Sequence, residues 1–281
     1  MKTIEEGYFE GERALYNISD TEIINSTFDN GESPLKECKN IKIKDSSFKY
    51  KYPLWYCNGV ECDNVTFIEM SRSGIWYTKD ITIKNSLIAS PKQFRRSENI
   101  TLDNVSIPNA QETLWNCKNI KMNNISSSGD YFGMNSEGIY VNNWNHSGNY
   151  LFDGAKNIEI HNAKLDSKDS FWNTENVVVY DSTIIGEYLG WNSKNLTFIN
   201  CVIDSKQGMC YIDNIKLVNC KLLNTNLAFE RVNNVDADIH SKIDSIKNPY
   251  SGIIYARKID EIILDEDIVD KNKTKIIVEE K

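Results

Sequence analysis

This sequence offers little to hold a metal or a redox cofactor. Only three histidines occur in 281 residues, and the seven cysteines include no Cys-x-x-Cys, Cys57 and Cys62 being the nearest pair. An odd number without paired spacing argues against a disulfide framework, a zinc ribbon or an iron–sulfur centre. Neither metal nor cofactor is expected. Positive charge is also short. A net charge of −8 and a pI near 5.1 argue against nucleic acid as a partner, which needs basic surface to neutralise phosphates. No apolar run approaches the ~18 residues of a membrane span. The opening residues Met1-Lys2-Thr3-Ile4-Glu5-Glu6-Gly7 lack the apolar stretch of a secretory signal. Together these absences predict a protein of the reducing cytoplasm.

Asparagine, by contrast, is abundant at 34 residues. It tolerates left-handed backbone and bonds nearby main chain, both useful in tight bends. Much of it belongs to one repeated phrase: Asn, apolar, any, apolar, any, Asn or Asp, small, any, apolar. Asn40-Ile41-Lys42-Ile43-Lys44-Asp45-Ser46-Ser47-Phe48 is one copy and Asn195-Leu196-Thr197-Phe198-Ile199-Asn200-Cys201-Val202-Ile203 another. The first position, taken as an anchor, falls at Asp20, Asn40, Gly59, Asp80, Asn99, Asn119, Gly138, Asn157, Asn176, Asn195, Asn214 and Asn234, with gaps of 19, 20 or 21. A fixed period of this size is the mark of a solenoid.

Aligned on the anchor, each position becomes a column. Positions one and three after it are apolar (Ile41, Val60, Ile81, Ile100; Ile43, Cys62, Ile83, Leu102) and the position between is polar. That alternation is a strand with one buried face. Five after the anchor a second Asn/Asp column marks a corner, and a short second strand follows, with small and then large inward residues such as Cys201 and Ile203. Inward-facing Cys62, Cys201 and Cys220 are expected to act as small hydrophobes. One before the anchor the charge alternates through Lys79, Glu98, Lys118, Glu137, Lys156, Glu175, Lys194 and Asp213, as residues stacked ~4.8 Å apart would require. The expectation is an all-β, right-handed, single-stranded parallel β-helix of about 12 coils with three strand segments per turn. It is preferred to a square pentapeptide-repeat helix because the third stretch breaks the five-residue rhythm. Residues 1–19 are expected as an N-terminal cap, 20–245 as the helix and 246–281 as a C-terminal cap or tail, in one domain overall, since open solenoid ends expose strand edges.

Candidate chemistry gathers in the third stretch. Four before the anchor stand Trp55, Trp76, Arg95, Trp115, Met134, Asp153, Trp172 and Trp191. Beside them lie Tyr77, Arg96, Asn116, Asn135, Asn173 and Asn192, with Arg72, Glu112 and Asp169 just upstream. A column mixing Arg and Asp with indoles is not core, and a contiguous exposed aromatic patch marks an interaction site. Trp55, Trp76, Trp115, Trp172 and Trp191 are the candidate platforms for sugar rings, with Tyr77 beside them, the Asn, Asp and Arg side chains for hydroxyls, and Arg72, Arg95 and Arg96 for anionic groups. Glycosidic cleavage needs two carboxyls ~5–9.5 Å apart; Asp153, Glu112 and Asp169 are the candidate acids, and Arg95 a candidate base for elimination. The partner expected is an oligo- or polysaccharide or an anionic sugar. The competing expectation is a homodimer through the same face, because Trp, Tyr and Arg also favour protein interfaces. His146, His161 and His240 are expected at surfaces or corners.

Several segments resemble an uncharacterised bacterial family, the domain of unknown function 3737: Gly11-Glu12-Arg13-Ala14-Leu15, Gly31-Glu32-Ser33-Pro34-Leu35, Pro53-Leu54-Trp55-Tyr56-Cys57, Arg72-Ser73-Gly74-Ile75-Trp76-Tyr77, Phe94-Arg95-Arg96 and Gly133-Met134-Asn135-Ser136. The resemblance spans nearly the whole chain. It implies a bacterial β-helix and carries no established activity or catalytic residues. Some members are labelled hydrogenase, a label that the cysteine pattern does not support. The expected fold is also similar to that of pectate lyases and polygalacturonases, although the paired aspartates of the latter are absent, so only analogy connects them.

Overall fold

A computed structural model of the chain describes residues 1–279. It is an all-β parallel β-helix, divided into two compact units, Met1–Asn145 and His146–Lys281. In the first unit, Ile41 pairs with Val60, Val60 with Ile81, Ile81 with Ile100 and Ile100 with Ile120, all parallel and in register. All five are at most 1% exposed, so each column is a continuous apolar strip closed off from water. Phe28, Phe48 and Phe67 stack in the second-strand column at 4.7 and 5.0 Å between centroids. In the second unit, Ile158, Val177, Leu196, Ile215 and Val235 repeat the arrangement. The alternating charges stack as the spacing requires. Lys79 bonds Glu98 at 3.2 Å and Lys156 bonds Glu175 at 3.1 Å. Exposed pairs of this kind contribute only about 0–1 kcal/mol each.

The corners explain the asparagine. Anchor residues Asn40, Asp80, Asn99, Asn119, Asn157, Asn176, Asn195, Asn214 and Asn234 all have φ between 48° and 71°, as do second-corner residues Asp45, Asn64, Asn85, Asn104 and Asn124. Left-handed backbone costs most L-residues ~1–2 kcal/mol, and Asn and Gly least; Gly59 and Gly138 fill the two anchors that lack an amide or carboxylate. The side chains also bond along the axis. Asn99 Nδ2 donates to Asp80 Oδ1 at 2.7 Å and Asn119 Nδ2 to Asn99 Oδ1 at 2.9 Å. In the second unit Asn176, Asn195, Asn214 and Asn234 each donate to the Asn one rung earlier, at 2.8–2.9 Å. Each of these donors points toward the earlier coil. Asp80 stands above Gly59, which has no acceptor to offer, and a carboxylate that only accepts suits that first rung.

Three features differ from expectation. The chain makes about 15 turns rather than about 12. Rungs extend into both terminal segments: Lys2–Glu5 pairs with Ser19–Ile24, Gly252–Ile263 with Asn233–Lys247, and Thr274–Val278 with Gly252–Ile263, all parallel. These rungs lack the Asn anchor, so the phrase does not flag them; Gly252 pairs with Val235, which puts Ser251 where the anchor would stand. The expected tail also included residues 280–281, which lie outside the described residues. The third side is not a strand. Left-handed residues alternate along it, as at Lys92, Phe94 and Arg96, and such alternation cannot build extended chain. Its rungs are still tied by main-chain bonds, such as Leu54 N to Gly74 O at 2.8 Å. Finally, His146 is not at the surface. It is 1% exposed and sits at the inward position that Phe48, Phe67 and Leu165 occupy in other coils.

Two measurements test this account. Asn104→Ala should lose about 1–2 kcal/mol of stability in urea denaturation, whereas Asn104→Gly should retain most of it, because glycine keeps the left-handed corner. Burial pushes the His146 imidazole down to about 3 from its usual 6.5. The unfolded chain therefore takes up a proton between those values that the folded chain refuses, and stability falls as pH drops through that window. His146→Leu should gain on the parent chain by up to about 1.4 kcal/mol per pH unit there, read from urea midpoints at pH 7, 5 and 4.

Candidate functional site

The third side sorts side chains into layers by position. Five before the anchor, Leu54, Ile75, Phe94 and Leu114 are buried at 0–1% exposure. The next residue is half-buried and the one after that largely exposed. In the first unit the half-buried layer is a stack of Trp55, Trp76, Arg95 and Trp115. Trp55 and Trp76 lie 5.2 Å apart with planes 7° from parallel. The Arg95 guanidinium lies 4.9 Å from the Trp76 ring centre and 4.4 Å from that of Trp115. Main-chain bridges join Trp76 to Arg95 and Arg95 to Trp115. Each indole N–H donates to a carbonyl of the following coil: Trp55 to Ser73 at 2.6 Å, Trp76 to Lys92 at 2.9 Å, Trp115 to Tyr131 at 2.6 Å. Trp76 is thus held at both faces, by Trp55 and Arg95, and all three rings are held at their polar edge. The faces of Trp55 and Trp76 are turned to each other, with Tyr52 4.6 Å from Trp55, so a sugar meets ring edges here rather than open platforms.

Glu112 is committed to this stack. It bonds Arg95 Nη2 at 2.5 Å and Lys92 Nζ at 3.3 Å, while Arg95 Nε is buried without a hydrogen-bond partner. The exposed layer beside it runs Tyr56, Tyr77, Arg96, Asn116, Asn135. Tyr56 and Tyr77 stack at 4.8 Å and 4°, and the Arg96 guanidinium lies 6.0 Å from the Tyr77 ring centre. Arg72 stands exposed upstream. Among the described residues, neither Arg72 nor Arg96 has a carboxylate within ion-pair distance.

The second unit repeats the layers with other chemistry. Trp172 and Trp191 lie 6.0 Å apart, Trp191 and Tyr211 4.3 Å apart, and Tyr150 meets Trp172 edge-on at 5.9 Å. Asn192 Nδ2 donates to Asn173 Oδ1 at 2.8 Å, and Asn173 Nδ2 to Asp153 Oδ1 at 2.7 Å. Three candidate residues therefore form one amide ladder ending on a carboxylate. Asp169 is half-buried, and burial raises its carboxyl above the usual range against a smaller lowering by Lys168. Arg231 lies 5.6 Å from the Tyr211 ring centre. Its neighbour Glu230 is 8% exposed and bonds Lys247 at 3.0 Å and Gln207 at 3.1 Å. Lys247 and Gln207 come from other columns, so no repeat position announces that lock. No group of three or more His, Cys, Asp and Glu that could hold a metal ion occurs among the described residues. No helix there is long and apolar enough to cross a membrane.

A family model for proteins of unknown function, DUF3737, matches residues 2–277. The chain belongs to the DUF3737 family. No curated protein matches it. Among solved structures it is similar to PfbA, a surface protein and adhesin of Streptococcus pneumoniae (11% identity over 83% of this chain and 91% of that one, TM-score 0.38). It is also similar to an exopolygalacturonase of Thermotoga maritima (11% identity, 94% and 83%, TM-score 0.35) and to QnrB1, a plasmid-mediated fluoroquinolone resistance protein (14% identity, 79% and 92%, TM-score 0.25). Identities this low transfer no residue assignment to the DUF3737 chain.

The Trp–Arg stack makes a stability prediction. Arg95→Lys keeps the charge near Glu112 but loses the planar group held between two indoles. It should cost about 1 kcal/mol in urea unfolding, within the range of a partly desolvated cation–π contact.

Proposed function

We propose that the third side of the coils is a recognition surface for an anionic polysaccharide, with Arg72 and Arg96 holding its acid groups. One observation carries the reading. Three of the six arginines, Arg13, Arg95 and Arg257, bond carboxylates. The other three, Arg72, Arg96 and Arg231, stand exposed without one among the described residues, and each falls on the third side of its own unit, Arg72 and Arg96 in the first and Arg231 in the second. In a chain with 40 acidic against 32 basic residues, a guanidinium left without an acid is unusual, and two of these rest against tyrosine rings. A planar guanidinium steadied on an aromatic ring is arranged for bidentate binding of a carboxylate or sulfate. Tyr56, Tyr77, Asn116 and Asn135 supply hydroxyl and amide groups at one-coil spacing beside it, suited to a repeating polymer.

Binding is better supported than cleavage. Glu112 is held by two cations and Asp153 by Asn173, which leaves Asp169, with its raised carboxyl, as the acid best suited to donate a proton. The test titrates the protein with polygalacturonate, alginate and a neutral glucan, following tryptophan fluorescence and calorimetry. The acidic polymers should bind, the neutral one should not, and Arg96→Ala should weaken binding by about tenfold, as loss of one charge-assisted contact does. Binding of all three polymers alike, or of none, overturns the reading. A wild-type dimer that Arg96→Ala turns into a monomer would replace it with a subunit interface.

A further inference from the structure

Two pairs of buried cysteines stand one rung apart, one pair in each unit. Cys38 and Cys57 are separated by 19 residues, as are Cys201 and Cys220, and all four are at most 1% exposed. The register is the same in both cases. The residue after the upper cysteine donates its N–H to the carbonyl of the lower one: Asn58 to Cys38 at 3.0 Å, Lys221 to Cys201 at 2.9 Å. We propose that Cys38 with Cys57, and Cys201 with Cys220, are sites of cross-coil disulfide formation, each bond stapling one coil to the next.

Geometry supports the closure. Paired rungs place Cα atoms ~4.8 Å apart, inside the ~4.4–6.8 Å window of disulfides. Each thiol leans toward the earlier coil and donates to a carbonyl there: Cys57 Sγ to Leu35 O at 3.0 Å, Cys38 Sγ to Leu15 O at 3.3 Å, Cys220 Sγ to Phe198 O at 3.3 Å, Cys201 Sγ to Val179 O at 3.5 Å. The upper sulfur of each pair is thereby directed at the rung of the lower. Within each pair one thiol supports the other's charge. The neighbouring Cys57 thiol lowers Cys38 and is itself raised, and the neighbouring Cys201 thiol lowers Cys220 and is itself raised. One partner is the better nucleophile and the other the proton holder.

The remaining cysteines have no such neighbour. Cys62 stands between Ile43 and Ile83, Cys117 donates its main-chain N–H to Ser136 Oγ of the next coil at 2.9 Å, and Cys210 lies beside Glu230 in the next coil. Burial pushes the Cys117 and Cys210 thiols up to about 12, which leaves them inert. The odd cysteine count therefore resolves into two pairs and three single thiols.

With hydrogen peroxide as oxidant, the more acidic thiol attacks one peroxide oxygen and the O–O bond breaks. It becomes a sulfenic acid and releases water. The partner thiol then attacks that sulfur, the S–S bond forms and a second water leaves. Two thiols are oxidised by two electrons, and the peroxide is reduced by two.

The test treats the native chain with hydrogen peroxide, alkylates it in denaturant and maps the peptides. Expected are a mass loss of about 2 Da per bridge, peptides joining 38 to 57 and 201 to 220, three of the seven cysteines alkylated, and a higher melting temperature that dithiothreitol reverses. Cys57→Ser should lose only the first bridge. Serine already stands in that column at Ser97, Ser136 and Ser193, so this variant folds. Seven alkylated thiols, mass gains from sulfinic or sulfonic acid alone, or bridges involving Cys62, Cys117 or Cys210 overturn the proposal.

Discussion

The left-handed corner is the constraint on which the rest of the molecule depends. A coil of about nineteen residues closes on itself only if the backbone reverses its bend at the anchor and again five residues later. Side chains with a β-carbon resist that conformation by ~1–2 kcal/mol. Asparagine and glycine lower the cost, and asparagine adds an amide that donates to the coil before it. Because the corners sit at the same two positions in rung after rung, the strands between them fall into register. Apolar residues then stack on apolar residues, with single-residue shifts between Leu217 and Cys220 and between Ile239 and Lys242.

Register makes like stack on like, and this is both the strength and the limit of the fold. Phenylalanine lies over phenylalanine, amide over amide, lysine over glutamate. Each contact is small, but it recurs from rung to rung. The same rule shapes the candidate site. A β-helix of this kind presents ladders rather than a cleft, so its chemistry appears as columns of planar groups. Where a column holds Trp, Trp, Arg, Trp, the rings use their faces on one another. Recognition therefore passes to the outer layer, where Arg96 and its neighbours reach water.

Much of this was legible in the chain. The Asn anchors marked the corners, the period-two pattern marked the first strand, and the alternating charges marked the register, because each is a local rule repeated in every coil. The candidate columns were legible for the same reason, and Trp55, Trp76, Arg95 and Trp115 stand in one stack, as Asp153, Asn173 and Asn192 stand in another. Features that break the repeat were not legible. The terminal rungs carry no Asn anchor. His146 replaces an apolar residue at an inward position, and residue type alone suggested surface. Lys247 reaches Glu230 from a different column.

By itself, then, the sequence determined the architecture, the rung spacing and which residues share a column, since periodicity encodes all three. Only the tertiary structure decided what those residues spend their bonds on. It turned the faces of Trp55 and Trp76 on each other, committed Glu112 to two cations, left Arg72 and Arg96 without an acid among the described residues and leaned each upper thiol toward the rung of the lower. A column fixes which neighbours are adjacent. The direction in which a side chain leans, and the partner it meets there, depends on the packing of the coils above and below.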